Sequence, residues 1–216
     1  MKMTKKVMFF GGLLAVVLLT PVAQAALTEL PDGYLDGWSG KSSYALNLGG
    51  GQYLSGHVEF AVYDTLFAGD IGFAVPGENR YVYVYQIFAD TDATAALVYF
   101  GVTGFNPDAI GSEDDLGTAA VADGIDPIEK GVNLAKTNAY FEFENGDLIS
   151  DEKSVFLLIG SDYLPTIGAY EIAPSPDGDI PVPGGNDNGN GNPVPEPATV
   201  ALLLGGTLMA LRKRQL

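Results

Sequence analysis

Between Ala26 and Ala173 apolar side chains recur at every second residue in one short run after another, and this period of two restricts the fold more than any other feature. Side chains alternate faces along a strand, whereas a helix returns to one face only about every 3.6 residues. The run His57 to Asp64, HVEFAVYD, sets Val58, Phe60 and Val62 against His57, Glu59, Ala61 and Tyr63, which predicts a core face and a wetter one. Arg80 to Ala89, RYVYVYQIFA, sets Tyr81, Tyr83, Tyr85 and Ile87 opposite Val82, Val84, Gln86 and Phe88. In Asn138 to Glu144, NAYFEFE, the pattern turns Ala139, Phe141 and Phe143 inward and Tyr140, Glu142 and Glu144 outward. Ala95 to Thr103 and Ser154 to Gly160 are almost wholly apolar and suit central strands, and Gly168 to Ile172 is a last candidate.

Gly, Asn, Asp and Pro separate these runs, at intervals of roughly ten residues, and no window carries a long helical repeat. Asp114 to Ala122 and Ile128 to Lys136 are expected to form single helical turns at most. With no alternation of strand and helix, the expected fold is all-β: one antiparallel β-sandwich or jelly-roll-like domain over residues 26–173. A chain of 216 residues is long enough for one such core plus terminal appendages.

Charge restricts the partners. From Ala26 to Pro193 the chain sets five cations against 26 acids, a balance of −21. That field repels nucleic acid and anionic lipid and leaves divalent cations or basic groups as the electrostatically favoured ligands. Cysteine is absent, so disulfides, thiol nucleophiles and cysteine metal sites are excluded together. His57 is the single histidine, and a zinc site would have to be built largely from carboxylates. No cofactor is expected; Asp177-Gly178-Asp179 and Asn186 to Gly189 come nearest to Ca2+ loops but lack the glutamate and spacing of an EF-hand.

The ends have a different composition. Residues 1–25 combine Lys2, Lys5 and Lys6, an apolar stretch from Val7 to Leu19, and small residues at Ala23 and Ala25. These are the three parts of a signal peptide, with cleavage by signal peptidase expected between Ala25 and Ala26. Residues 174–193 are almost entirely Pro, Gly, Asn and Asp, and are expected to form a disordered linker. Residues 194–216 hold Pro195-Glu196-Pro197, an apolar run expected to form a transmembrane helix at about 198–211, and the basic cluster Arg212, Lys213 and Arg214. By the positive-inside rule the basic cluster stays cytoplasmic and the acidic body lies outside.

That three-part tail, behind an N-terminal signal peptide, resembles the PEP-CTERM sorting tail of Gram-negative bacteria. The resemblance covers about the last 23 residues and implies nothing about the body. It implies recognition of Pro195, Glu196 and Pro197 by an exosortase-like membrane enzyme, transient residence in the inner membrane, and removal of the hydrophobic tail. It further implies a host that makes exopolysaccharide and a destination at the cell surface or in the biofilm matrix. The alternative is a tail that stays as a permanent anchor.

Three functions follow for the body. The leading one is a non-enzymatic structural or adhesive protein of the envelope or extracellular matrix. The second is a carbohydrate-binding module that stacks sugars on Tyr81, Tyr83 and Tyr85, with Trp38 contributing from the segment that also holds Tyr34, Tyr44 and Tyr53. The third is a polysaccharide hydrolase with paired carboxylates, although the acids concentrate in turn-rich runs such as Gly111 to Asp115 and Asp147 to Glu152. No catalytic residue is assigned: His57 lies mid-strand without a neighbouring nucleophile motif.

Overall fold

Two sheets account for the alternation. The structure is a computed structural model that describes residues 27–144, 147–172 and 175–185. The strands are β1 (Ser39–Gly49), β2 (Gln52–Asp64), β3 (Tyr81–Ala89), β4 (Tyr99–Thr103), β5 (Leu116–Ala119) and β6 (Gly124–Ile125). They continue with β7 (Glu129–Val132), β8 (Asn138–Glu142), β9 (Lys153–Ser154), β10 (Phe156–Ser161), β11 (Leu164–Ile172) and β12 (Ser175–Gly185). The first sheet runs β1-β2-β3-β10-β5, with β9 pairing β3 and the short β6 pairing β9; the second runs β12-β11-β4-β8-β7. Every pairing is antiparallel except β6 with β9.

The hairpin joining β1 to β2 turns through Gly49, Gly50 and Gly51, all three with positive φ (82°, 62° and 84°). Three successive left-handed residues are accessible to glycine at little cost, which is the structural use of this triplet.

Tyr81, Tyr83, Tyr85 and Ile87 of β3, with Val58, Phe60 and Val62 of β2 and Leu157 and Ile159 of β10, form one wall of the main core. Phe100 and Val102 of β4, Ala139 and Phe141 of β8, and Tyr170 and Ile172 of β11 belong to the same cluster, so the two sheets share it. Ala139, Phe141 and Phe143 are all buried, as their alternation predicts.

The opposite face of β2 and β3 is buried too, which for β2 corrects the expectation of a wetter face. Ala61, Tyr63, Val82, Val84, Phe156 and Leu158 form a second cluster with Leu30 and Ile71. Partly buried Leu27, Tyr34, Phe73 and Val75 pack against it, so the segment before β1 and the loop after β2 cover this face. The Leu35 N–H donates to the Val62 carbonyl at 2.7 Å and the Tyr63 hydroxyl to the Pro31 carbonyl at 2.6 Å, fastening that segment down. A sheet buried on both faces explains why RYVYVYQIFA is apolar at almost every position.

Other expectations need correction. The proposed helical turns are mostly extended: only Glu113–Asp115 forms a single 3-10 turn, while Leu116–Ala119 and Glu129–Val132 are β5 and β7. Residues 175–185, expected as part of a disordered linker, are β12, paired with β11 from Ser175 to Gly185. Pro176, Pro181 and Pro183 lack donors, and an edge strand is where a sheet accommodates that loss. The expected signal peptide with its Ala25–Ala26 bond, residues 186–193 of the expected linker, and the expected sorting tail with Pro195, Glu196, Pro197, Arg212, Lys213 and Arg214 lie outside the described residues. No helix among the described residues is long and apolar enough to cross a membrane.

Candidate functional site

The tyrosine row of β3 is inside the protein. Tyr81, Tyr83 and Tyr85 are 2%, 0% and 0% exposed, and Trp38 is 6% exposed, so none of them offers a ring face to a sugar. The row is a core feature, and the proposed glycan contact at these four residues is corrected. Alternation placed the three rings on one face; the position of β3 between β2 and β10 turned that face toward the second sheet. Burial pushes the Tyr83 and Tyr85 phenols well above the ordinary tyrosine range, and the Tyr83 hydroxyl donates to the Tyr163 carbonyl at 2.7 Å.

Aromatic surface appears instead on the outer face of the second sheet. Register sets Tyr140 of β8 between Gly101 of β4 and Gly131 of β7. A Cβ on Gly131 would lie 2.6, 2.7 and 2.9 Å from the Tyr140 Oη, Cζ and Cε1 atoms, so the phenol lies flat over that glycine. The Tyr99 ring folds in the same way over Gly101, whose Cβ would meet its Oη at 2.8 Å and its Cε1 at 3.0 Å. Both glycines are buried beneath the rings, while both tyrosines remain partly exposed. The ring planes are 16° from parallel with centroids 6.2 Å apart. Two near-parallel rings thus stack on one another over glycine-floored strands.

Polar groups border them. The Tyr99 hydroxyl donates to Asn138 Oδ1 at 3.3 Å, Asn138 Nδ2 donates to Glu171 Oε2 at 3.1 Å, and the Tyr140 hydroxyl donates to Glu129 Oε1 at 3.2 Å. Glu129 and Glu142 sit directly opposite one another across β7 and β8. Like charges in that arrangement cost stability, and nearby donors relieve the cost. Burial raises the Tyr99 phenol above its usual range; the Asn138 hydrogen bond offsets part of this, and Glu171 and Glu142 add to it. Tyr99 and Glu142 also line a cleft of about 710 Å³, bounded by Leu48 and Gln52 of the β1–β2 hairpin and by Thr94, Ala95 and Ala96. The platform therefore runs on into a concave space.

A second polar cluster lies on the first sheet. Glu59 is fully buried, accepts from the Thr28 N–H and Oγ1 at 2.7 Å each, pairs with Lys41, and lies 3.7 Å from His57 Nε2. Burial alone would raise this carboxyl, but the nearby His57 ring, the Lys41 ammonium and the two Thr28 donors outweigh it and hold the pKa at about 2. His57 stacks on Phe88 with centroids 4.7 Å apart and planes 5° from parallel, so it is a packed residue and not simply a sheet-surface one. The two rings line a cleft of about 480 Å³ whose other walls include Asp90, Asp92, Asp151 and Glu152. No group of three or more His, Asp or Glu among the described residues is placed to hold a metal ion.

Comparison with protein-family models, with curated proteins and with solved structures returns no match for this chain.

Sequence reasoning placed Tyr140, Glu142 and Glu144 on an outward face, and Tyr140 and Glu142 are partly exposed. It missed the pairing with Tyr99, because the link runs across the β4–β8 register and not along one strand.

Proposed function

We propose that this protein is exported, sorted by an exosortase-like enzyme, and acts as a structural or adhesive component of the cell surface or extracellular polymer, without catalysis. The observation that carries this reading is the order of the C-terminal residues: Pro195-Glu196-Pro197, an apolar run, then Arg212, Lys213 and Arg214, in a chain that opens with the three parts of a signal peptide. The body is read as one β-sandwich, supported by the apolar cluster that the two sheets share. Only residues 186–194 separate the last strand from the Pro-Glu-Pro triplet. Their Asn/Gly composition suits an extended spacer that presents the triplet to a membrane enzyme.

Mass spectrometry of both termini, on protein recovered from envelope and medium fractions of the host, tests the reading. Sorting by cleavage predicts a mature chain that starts at Ala26 and ends near Pro197. Recovery of an intact Arg212-to-Leu216 end from every fraction would refute it and favour the permanent anchor.

A further inference from the structure

We propose that the Tyr99–Tyr140 pair is a glycan-binding platform for gluco-configured pyranose chains that are neutral or carry free amino groups, and that it rejects uronates. The inference gives a molecular site to the adhesive part of the function proposed above and does not depend on the sorting tail.

Both rings lie over glycines, and a side chain at either glycine would lift the ring; this cross-strand packing stabilises the sheet and at the same time leaves both rings partly exposed. The result is a partly exposed amphipathic surface whose hydroxyls are held by Asn138 and Glu129. A pyranose with equatorial hydroxyls has the complementary form: an apolar face of axial C–H groups and a rim of hydroxyl donors.

Charge narrows the ligand. Glu129, Glu142 and Glu171 surround the rings and are acceptors for sugar hydroxyls or ammonium groups. The body's balance of −21 disfavours a polyanion anywhere on the surface. An amino sugar would place its cation between Glu129 and Glu142 and relieve their cross-strand repulsion. The cleft beyond Tyr99 gives the chain room to continue past the platform.

Isothermal titration of the full chain in mild detergent, with a glucosamine hexamer, cellohexaose and a galacturonate hexamer, tests this. The first two should bind, with the glucosamine hexamer tighter, and the galacturonate hexamer should not. Tyr140→Ala and Tyr99→Ala should each weaken binding by about tenfold, the factor for about 1.4 kcal/mol. Tyr140→Phe, which keeps the ring and loses the hydroxyl, should stay within about threefold of wild type. Gly131→Val, which keeps the tyrosine and lifts it, should behave like Tyr140→Ala. Circular dichroism of each variant confirms that the sheets are intact. Absence of binding to both gluco-configured probes, equal binding of the galacturonate hexamer, or unchanged affinity in both alanine variants overturns the proposal. None of these outcomes bears on processing of the termini, so the sorting reading stands or falls separately.

Discussion

Glu59 carries the largest resolved carboxylate shift, from 4.5 down to about 2, and its cause is geometric. Residue 28 supplies two donors from the segment before β1, residue 41 supplies a cation from β1, and His57 lies on the same strand two positions away. A carboxyl whose folded pKa is depressed contributes stability above its unfolded pKa and loses it as pH falls through the folded value. Stability should therefore decline between about pH 4.5 and about pH 2 as this network is protonated. Glu59→Ala leaves Lys41 and Thr28 without their acceptor and should cost about 3 kcal/mol at pH 7. Urea midpoints for wild type and variant should converge as pH approaches 2. Parallel profiles across that range would show that another group governs the acid transition.

At the level of elements, the second core makes the segment before β1 part of the domain. Leu30 is 7% exposed and packs in the cluster with Tyr63 and Val82. Leu30→Ala should cost about 2–3 kcal/mol through lost burial and the cavity left behind, read as a lower urea midpoint with an unchanged slope. A change below about 0.5 kcal/mol would mean that the segment rests on the sheet without stabilising it. None of this cover was legible in the sequence, because residues 27–38 have no period and their role is set by the face they meet. The runs outside that segment are another matter: β2, β3 and β8 are legible from side chains that repeat every second residue, β4 and β10 from almost wholly apolar runs, and β11 in its second half from Gly168 to Ile172. β1 escaped because SGKSSYALNLG is rich in small and polar residues, and its alternation shows only once β2 is beside it. β12 escaped because its prolines and glycines read as linker, and only pairing with β11 makes them a strand. The same limit applies to the tyrosines. A strand's alternation sorts rings into two faces, and the neighbouring strands decide which face is inside. That is why the YVYVY row became core while Tyr99 and Tyr140, from separate strands, met outside.

For the whole molecule, the charge imbalance that excludes anionic partners must also act on the fold. Between Ala26 and Pro193, five cations among 26 acids leave most carboxylates unneutralised, and among the described residues three ion pairs, Lys41–Glu59, Arg80–Asp64 and Lys153–Glu29, use three of those cations. Repulsion among exposed carboxylates is screened over about 8 Å at physiological salt, whereas the Glu59 pair is largely shielded from salt by burial. Screening should then help the folded state more than it weakens the pairs. Raising NaCl from about 10 mM to about 500 mM at pH 7 should raise Tm by about 3–5 °C, the response to about 1–2 kcal/mol in a domain of this size. Near pH 4, where exposed carboxylates protonate, the same salt step should have little effect. A Tm that falls with salt at pH 7 would instead show that the few ion pairs outweigh the repulsion. It would place the molecule's electrostatic stability in Lys41, Arg80 and Lys153 and not in relief of its own field.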